Sequence, residues 1–565
     1  MNTRWWPGVL YAVGALICAS SAAAQVLPAS WLREVPGPRE IEAVQAGLDR
    51  YGKEAMAKAL RAASMDAYAR GGATPAAAAW QNVARWVSGP ALPPAWLWGD
   101  ADFSAAYLER EQPQDDRAAA LRILAELRAA DPEAFRTHAS LALAIALVYD
   151  RPPPAREWPH WQVTEQALPR RLPAPTEAFS FFVELDKSGR SLHRLAELDA
   201  AELRFLVDLA APMDELRWVR ERFARTPLSR LDETYASVAY RTDRIVAGVY
   251  VWPGNRYTLD TILGEGGICV DQAYVATQAG KARGVPTLFF AGAGRDGRHA
   301  WFGYLGTGRK WRMDAGRYEE QRYVTGLALD PQTWEEISDH ELAFLSEGFR
   351  RERAAREAAI HAGFARWLQE ENREREAETA ARAAVRLERR EVRGWDVLID
   401  LQPTPGPTRE AVAREAASNL SSYPELHARY LGVVIESLGA RGESAEAERM
   451  GRELIRKFAG RRGDLSVAQI ARQLEQTIAT EEPAEQLRVY RAALRRFGRG
   501  AGAAMWDEVA RPFVARLAQA GKFAEAREAL NVAREVLVGA GGTQLDAEMR
   551  AMAAMLAAAD QTPKP

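Results

Sequence analysis

Apolar residues recur at helical spacing through most of this chain. Between Asp116 and Ala130, Ala120, Leu124 and Leu127 fall four and three residues apart with Leu121 beside them, which predicts an amphipathic helix. Asp131, just before Pro132, is placed to cap the next one. The same Ala-, Leu-, Arg- and Glu-rich pattern predicts helices from about Pro38 to Asp150, broken at Gly89-Pro90, Pro93-Pro94 and Pro152-Pro153-Pro154. The stretch Ala139 to Val148 is apolar all round but short, which suits a buried helix rather than a membrane span. Leu216 to Phe223 and Leu231 to Val246 again predict helix.

From Thr287 the pattern switches. Thr287 to Phe290, His299 to Leu305 and Lys310 to Asp314 are short, bulky and separated by Gly-rich turns, a strand and hairpin signature. Gly306-Thr307 predicts a two-residue type II′ turn. That register sets Phe302 opposite Trp311 and His299 opposite Asp314, with Ala300, Phe302, Tyr304, Trp311 and Met313 on the other, buried face. After about Asp339, where Asp339 is placed to cap a helix carrying His340, the chain returns to charged, Ala-rich helices almost to its end. The fold class is therefore α+β, a small antiparallel sheet flanked by large all-α regions.

The C-terminal helices carry a weak repeat. Glu-Ala pairs at Glu376, Glu410, Glu446 and Glu525, with Glu485-Gln486 in a matching place, recur at steps of roughly 34 to 40 residues. Leu438, Gly442, Glu446 and Ala447 match Leu517, Gly521, Glu525 and Ala526 at identical spacing. This resembles part of a tetratricopeptide repeat, with Gly in the turn between packed helices, and implies a helical hairpin array able to hold a protein partner. The boundaries expected from these patterns are a leader over 1–24, an N-terminal helical region over 25–215, a core over 216–345 and the repeat-like region over 346–560.

Composition narrows the function. Of 565 residues, 47% are apolar and 27% charged, and the formal net charge of -2 gives no field that would call for nucleic acid or an anionic membrane. Arg4, the apolar run Val9 to Cys18, and the small residues Ala22 and Ala24 read as a signal peptide with cleavage before Gln25. Export to the periplasm or medium follows, with no stable membrane insertion once the leader is removed. An uncleaved anchor is the competing reading.

The two cysteines are Cys18, inside the leader, and Cys269. A lone thiol in an exported chain needs a reason: either a small buried apolar residue or a nucleophile. Gly266-Gly267 permits a tight turn, the residues to Ala282 favour helix, and Gly284 and Pro286 end it. Cys269 is thus expected in the first turn of a helix, where amide N–H groups and the dipole favour a thiolate. Of the seven histidines, His299 opens a strand just after a Gly-rich turn and is the candidate base. Asp271, early in the Cys269 helix, suits its dipole.

Gly267-x-Cys269-x-x-x-Ala273, Arg283-Gly284-Val285-Pro286, His299-Ala300-Trp301 and Trp311-x-x-Asp314, in that order, resemble the motifs of the transglutaminase-like superfamily over roughly Leu231 to Tyr318. The resemblance implies a papain-like core, a helix bearing Cys packed on an antiparallel sheet bearing His and Asp. By position it implies Cys269 as nucleophile, His299 as general base and acid, and Asp314 as the orienting acid. The implied chemistry is cysteine-dependent hydrolysis or acyl transfer at amide bonds of peptides or proteins through a thioester, with no cofactor and no metal. Tyr240, Tyr250, Trp252 and Tyr257 are the candidates for a second oxyanion donor beside the Cys269 N–H. A protein-binding helical scaffold around an inactive core is the alternative. Gly292-x-Gly294-x-x-Gly297 leads into a strand and is read as a hairpin turn, not a dinucleotide site.

Overall fold

The computed structural model describes residues 28–560 apart from 29, 155–158, 165, 169–171, 295–296, 319–323, 460–461, 481, 499–501 and 539–542. The leader, with Cys18, and the tail 561–565 lie outside the described residues. Helices dominate, around one five-stranded antiparallel sheet. The helix over Arg117–Ala130 starts on an Asp116 side-chain cap, and Asp131 caps the next through the Ala134 N–H. Helix α1 (Ala139–Val148) is buried from Leu141 onward. Among the described residues no helix is long and apolar enough to cross a membrane.

Helix α2 (Cys269–Ala282) is the central element, and every residue from Val270 to Ala282 is buried. It can be buried on all sides because two layers cover it. Ile268, Val270, Ala273 and Ala276 pack on Ala300, Phe302 and Tyr304 of the sheet. Tyr274, Val275, Ala279 and Ala282 pack into a core that begins at Leu32 and includes α1. Each fully buried valine, leucine or isoleucine here contributes about 1.5–3 kcal/mol. The N-terminal helices and α2 therefore share one continuous core.

The strands β1 (Thr287–Ala293), β2 (Arg298–Leu305), β3 (Trp311–Ala315), β4 (Leu327–Leu329) and β5 (Glu336–Ser338) lie in the order β3-β2-β1-β4-β5. The β2–β3 pairing differs from the expected register. Leu305 faces Trp311, Tyr304 faces Arg312 and Phe302 faces Ala315, with an irregularity between the last two pairs. The connection is not a two-residue turn. Gly306 N–H donates to Lys310 O at 2.8 Å around a 3₁₀ turn at Thr307–Arg309, with Gly308 and Arg309 both left-handed. An extra residue in β3 then shifts every later partner by one, as a bulge does. His299 consequently does not face Asp314, and Met313, with Trp311, packs against the Trp301 side of the sheet rather than beside Phe302.

The predicted helix over Leu231 to Val246 is also broken. Short helices at Glu233–Ala236 and Thr242–Val246 flank an extended segment in which Tyr240 bridges Gly267. Gly267 N–H donates to Ala239 O and Arg241 N–H to Gly267 O, both at 2.9 Å. Pairing with the turn before Cys269 overrides local helix preference there. At the helix Asp339–Leu345 the cap is Ser338, which accepts the Glu341 N–H at 3.0 Å, and Asp339 is its first residue.

Beyond it, helices follow one another to Asp560. The matched turns at Gly442 and Gly521 are equivalent, with left-handed φ of 83° and 73° and buried Leu438 and Leu517 accepting from the residue after each glycine. Leu368, Asn372, Glu376 and Ala377 form a third copy, with Asn372 at φ 57° in the glycine's place. Ala411 is exposed while Glu410 is buried, so that pair does not belong to the series.

Candidate active site

Cys269 is the first residue of α2 and is reached through a turn that only glycine permits. Gly266 has φ 78°, and a Cβ on it would lie 2.5 Å from Ala239 O. A Cβ on Gly267 would lie 2.3 Å from the Asp271 side chain. Asp271 is fully buried and accepts from Ile268 N–H at 2.7 Å, Arg244 at 2.8 Å and Tyr257 OH at 3.0 Å. It thus closes the helix start and ties it to Arg244, a larger role than offsetting the dipole. His160 extends the network at 2.6 Å from Tyr257 OH, and burial pushes its imidazole down to about 3.

The backbone N–H groups of Ala300, on β2 next to His299, of Val270 and of Cys269 itself favour the anionic form of the Cys269 sulfur. Burial nevertheless pushes its thiol up, and the Asp271 carboxylate pushes the same way, against those N–H groups. Burial and the Asp271 carboxylate thus oppose the thiolate that the helix start favours.

His299 is nearly buried, and its Nε2 lies 2.7 Å from Gly316 O. Nε2–H donating to that carbonyl leaves Nδ1 unprotonated and able to accept a proton. Its ring stacks on Tyr318 at 4.2 Å, with Tyr235 edge-on at 6.4 Å. Tyr235 OH donates to Ala300 O at 2.8 Å, so one tyrosine braces both the imidazole and the strand that meets the sulfur. Burial lowers the His299 pKa, partly offset by the Gly316 carbonyl and reinforced by Arg317.

Asp314 is exposed, and no hydrogen bond or ion pair joins it to His299. The place expected for it is taken by the carbonyl of Gly316, which sequence reasoning missed. Its only signal was a glycine directly after the third strand.

Cys269 and His299 open on one cavity of about 700 Å³ that also exposes Tyr240, Tyr250 and Tyr318. Of the oxyanion candidates, Tyr257 and Trp252 are spent on Asp271 and on Arg256 O. Tyr240 and Tyr250 line the cavity with no hydrogen bond to their hydroxyls among the described residues. The Cys269 thiolate charge would act directly on Tyr240. The C-terminal helices form part of the same wall through Thr543 and Gln544. Arg298, one residue before His299, is held by Asp507 at 2.6 Å and Glu548 at 2.5 Å. No group of three or more His, Cys, Asp or Glu stands ready for a metal ion among the described residues. No family model matches the chain, and no curated protein matches it.

Proposed function

We propose that the chain is an exported cysteine-dependent amide hydrolase or acyl transferase of transglutaminase-like type, working through a Cys269–His299 pair in a papain-like core. The observation that carries this reading is that a helix-start thiol and the imidazole of His299 open on the wall of one cavity. Nδ1 of His299 takes the thiol proton as Sγ bonds to the amide carbonyl carbon. The tetrahedral oxyanion is met by the Cys269 N–H, with Tyr240 OH as the second donor. Collapse breaks the C–N bond, and the same proton passes from Nδ1 to the leaving amine. Water or a second amine then attacks the thioester, giving up a proton to Nδ1, and the thiol is restored.

Burial raises the thiol and lowers the imidazole, so both are neutral at rest, and His299 acts as a general base rather than as half of a standing ion pair. Iodoacetamide labelling of the Cys269 peptide, read by mass spectrometry, should climb through neutral pH without an acid-side plateau. His299→Ala should slow it about 10²-fold at pH 7. A rate unchanged in that variant removes the pair and with it the proposed activity.

A further inference from the structure

Exposed large apolar side chains gather at the mouth of this cavity. Trp161, Tyr240 and Tyr318 line it and are 60%, 42% and 45% exposed. Tyr250 also lines it, between Val249 and Val251, which are 38% and 41% exposed. Trp161 is brought here from far along the chain, by Trp252 N–H donating to Gln162 O at 2.9 Å. A patch of this kind marks a place where something apolar binds.

Charge says what that something is not. The guanidinium groups next to these residues in the chain are all engaged: Arg241 with Asp243, Arg244 with Asp271, Arg298 with Asp507 and Glu548, and Arg317 with Asp339. Among the described residues these guanidinium groups are therefore not free to recognise an acidic substrate, and the exposed Glu336 carboxylate on the cavity wall would repel one. Several polar groups at the mouth are uncharged donors. The hydroxyls of Tyr240, Tyr250 and Tyr318 and the indole N–H of Trp161 make no hydrogen bond among the described residues. Rings with a free donor at one edge suit a ligand that is apolar in its side chains and amide-bearing in its backbone, since each buried amide needs a partner. A hydrocarbon chain would leave those four polar groups unsatisfied.

We propose that the site takes stretches of extended peptide with apolar or aromatic side chains on either side of the amide that Cys269 attacks. The inference rests on the Cys269–His299 reading and adds the substrate class. Two peptidyl vinyl sulfones, matched in length, test it on the full chain, one flanked by Leu and Phe and one by Glu and Lys. Labelling at Cys269 should be at least about tenfold faster with the apolar probe, the discrimination an apolar pocket gives. Trp161→Ala and Val251→Asp, both at exposed positions, should each remove most of that preference, and Val251→Asp should leave the iodoacetamide rate unchanged. Equal labelling by the two probes, or a preference untouched by both variants, overturns the substrate class. Capture of wild type but not Val251→Asp by neutral phosphatidylcholine vesicles, without probe preference, would assign the patch to a lipid surface and also overturn it. An iodoacetamide rate indifferent to His299 would instead sink the underlying activity, so the two failures are distinguishable.

Discussion

Gly316 holds His299 through its carbonyl, and two features keep a side chain from that position. Its φ is 91°, in the left-handed region, and a Cβ would lie 2.7 Å from the Tyr235 ring. Gly316→Ala should therefore cost about 1–3 kcal/mol in strain and repacking. It should also slow the apolar vinyl sulfone at Cys269 by about tenfold or more, because the imidazole loses its brace. Asp314→Ala should leave that rate within about threefold and the melting temperature unchanged, as expected of an exposed residue. If Asp314→Ala proves as damaging as His299→Ala, the carbonyl is not the orienting group. Cys269 and His299 were legible in the sequence because each is set by local chemistry, a glycine turn before a helix and a strand opening after a turn. Asp314 was misplaced because its position depended on a loop length. The five-residue connection puts Arg309, not a glycine, at φ 57°, and nothing in the letters signals that.

At the scale of elements, the hairpin turns show what sequence spacing captures and what it passes over. Gly442 and Gly521 were visible because glycine is the usual residue at a left-handed helix end. Asn372 does the same work and escaped notice, since asparagine is only sometimes used there. Gly521→Val should destabilise by about 1–2 kcal/mol, the cost of a β-branched residue in that region. Asn372→Gly should hold or raise the denaturant midpoint. A neutral Gly521→Val in urea unfolding would remove the case that these turns are equivalent. The segment from Leu231 to Val246 was read as a helix for the converse reason. Its local preference is helical, but Ala239 and Arg241 pair with the backbone of Gly267, a contact no local window contains.

At the scale of the molecule, three layers converge on α2: the N-terminal helices on one side, the sheet on the other, and the last helices over the cavity. The final contact is ionic, about a quarter exposed, and made by Asp507 and Glu548 on Arg298. Trp506 steadies Glu548 at 3.1 Å, and Ala503 N–H donates to Gly294 O at 3.0 Å. Charge-assisted contacts of this exposure are worth about 1–2 kcal/mol. Arg298→Met should speed hydrogen exchange in the helices between 503 and 548 several-fold and leave those between 364 and 420 unchanged. Equal protection in both variants would mean that the clamp does not hold the C-terminal helices in place. The α+β composition and the helical flanks could be read from periodicity, but this convergence could not, because its contacts join residues more than two hundred positions apart.

The hairpin array is footed at both ends. Near its start, Phe364, Ala365 and Leu368 share a core with Met65, Tyr68 and Ala77 of the N-terminal helices. Near its finish it stands on Arg298 and Gly294. It is held at both ends rather than free at one. The first footing adds the ion pairs of Arg61 with Glu370 and Glu371 and of Asp66 with Arg373 to its apolar core, and the second rests on those of Arg298 with Asp507 and Glu548, so salt screens part of both. The second footing lies one residue from the imidazole that would take the proton from Cys269.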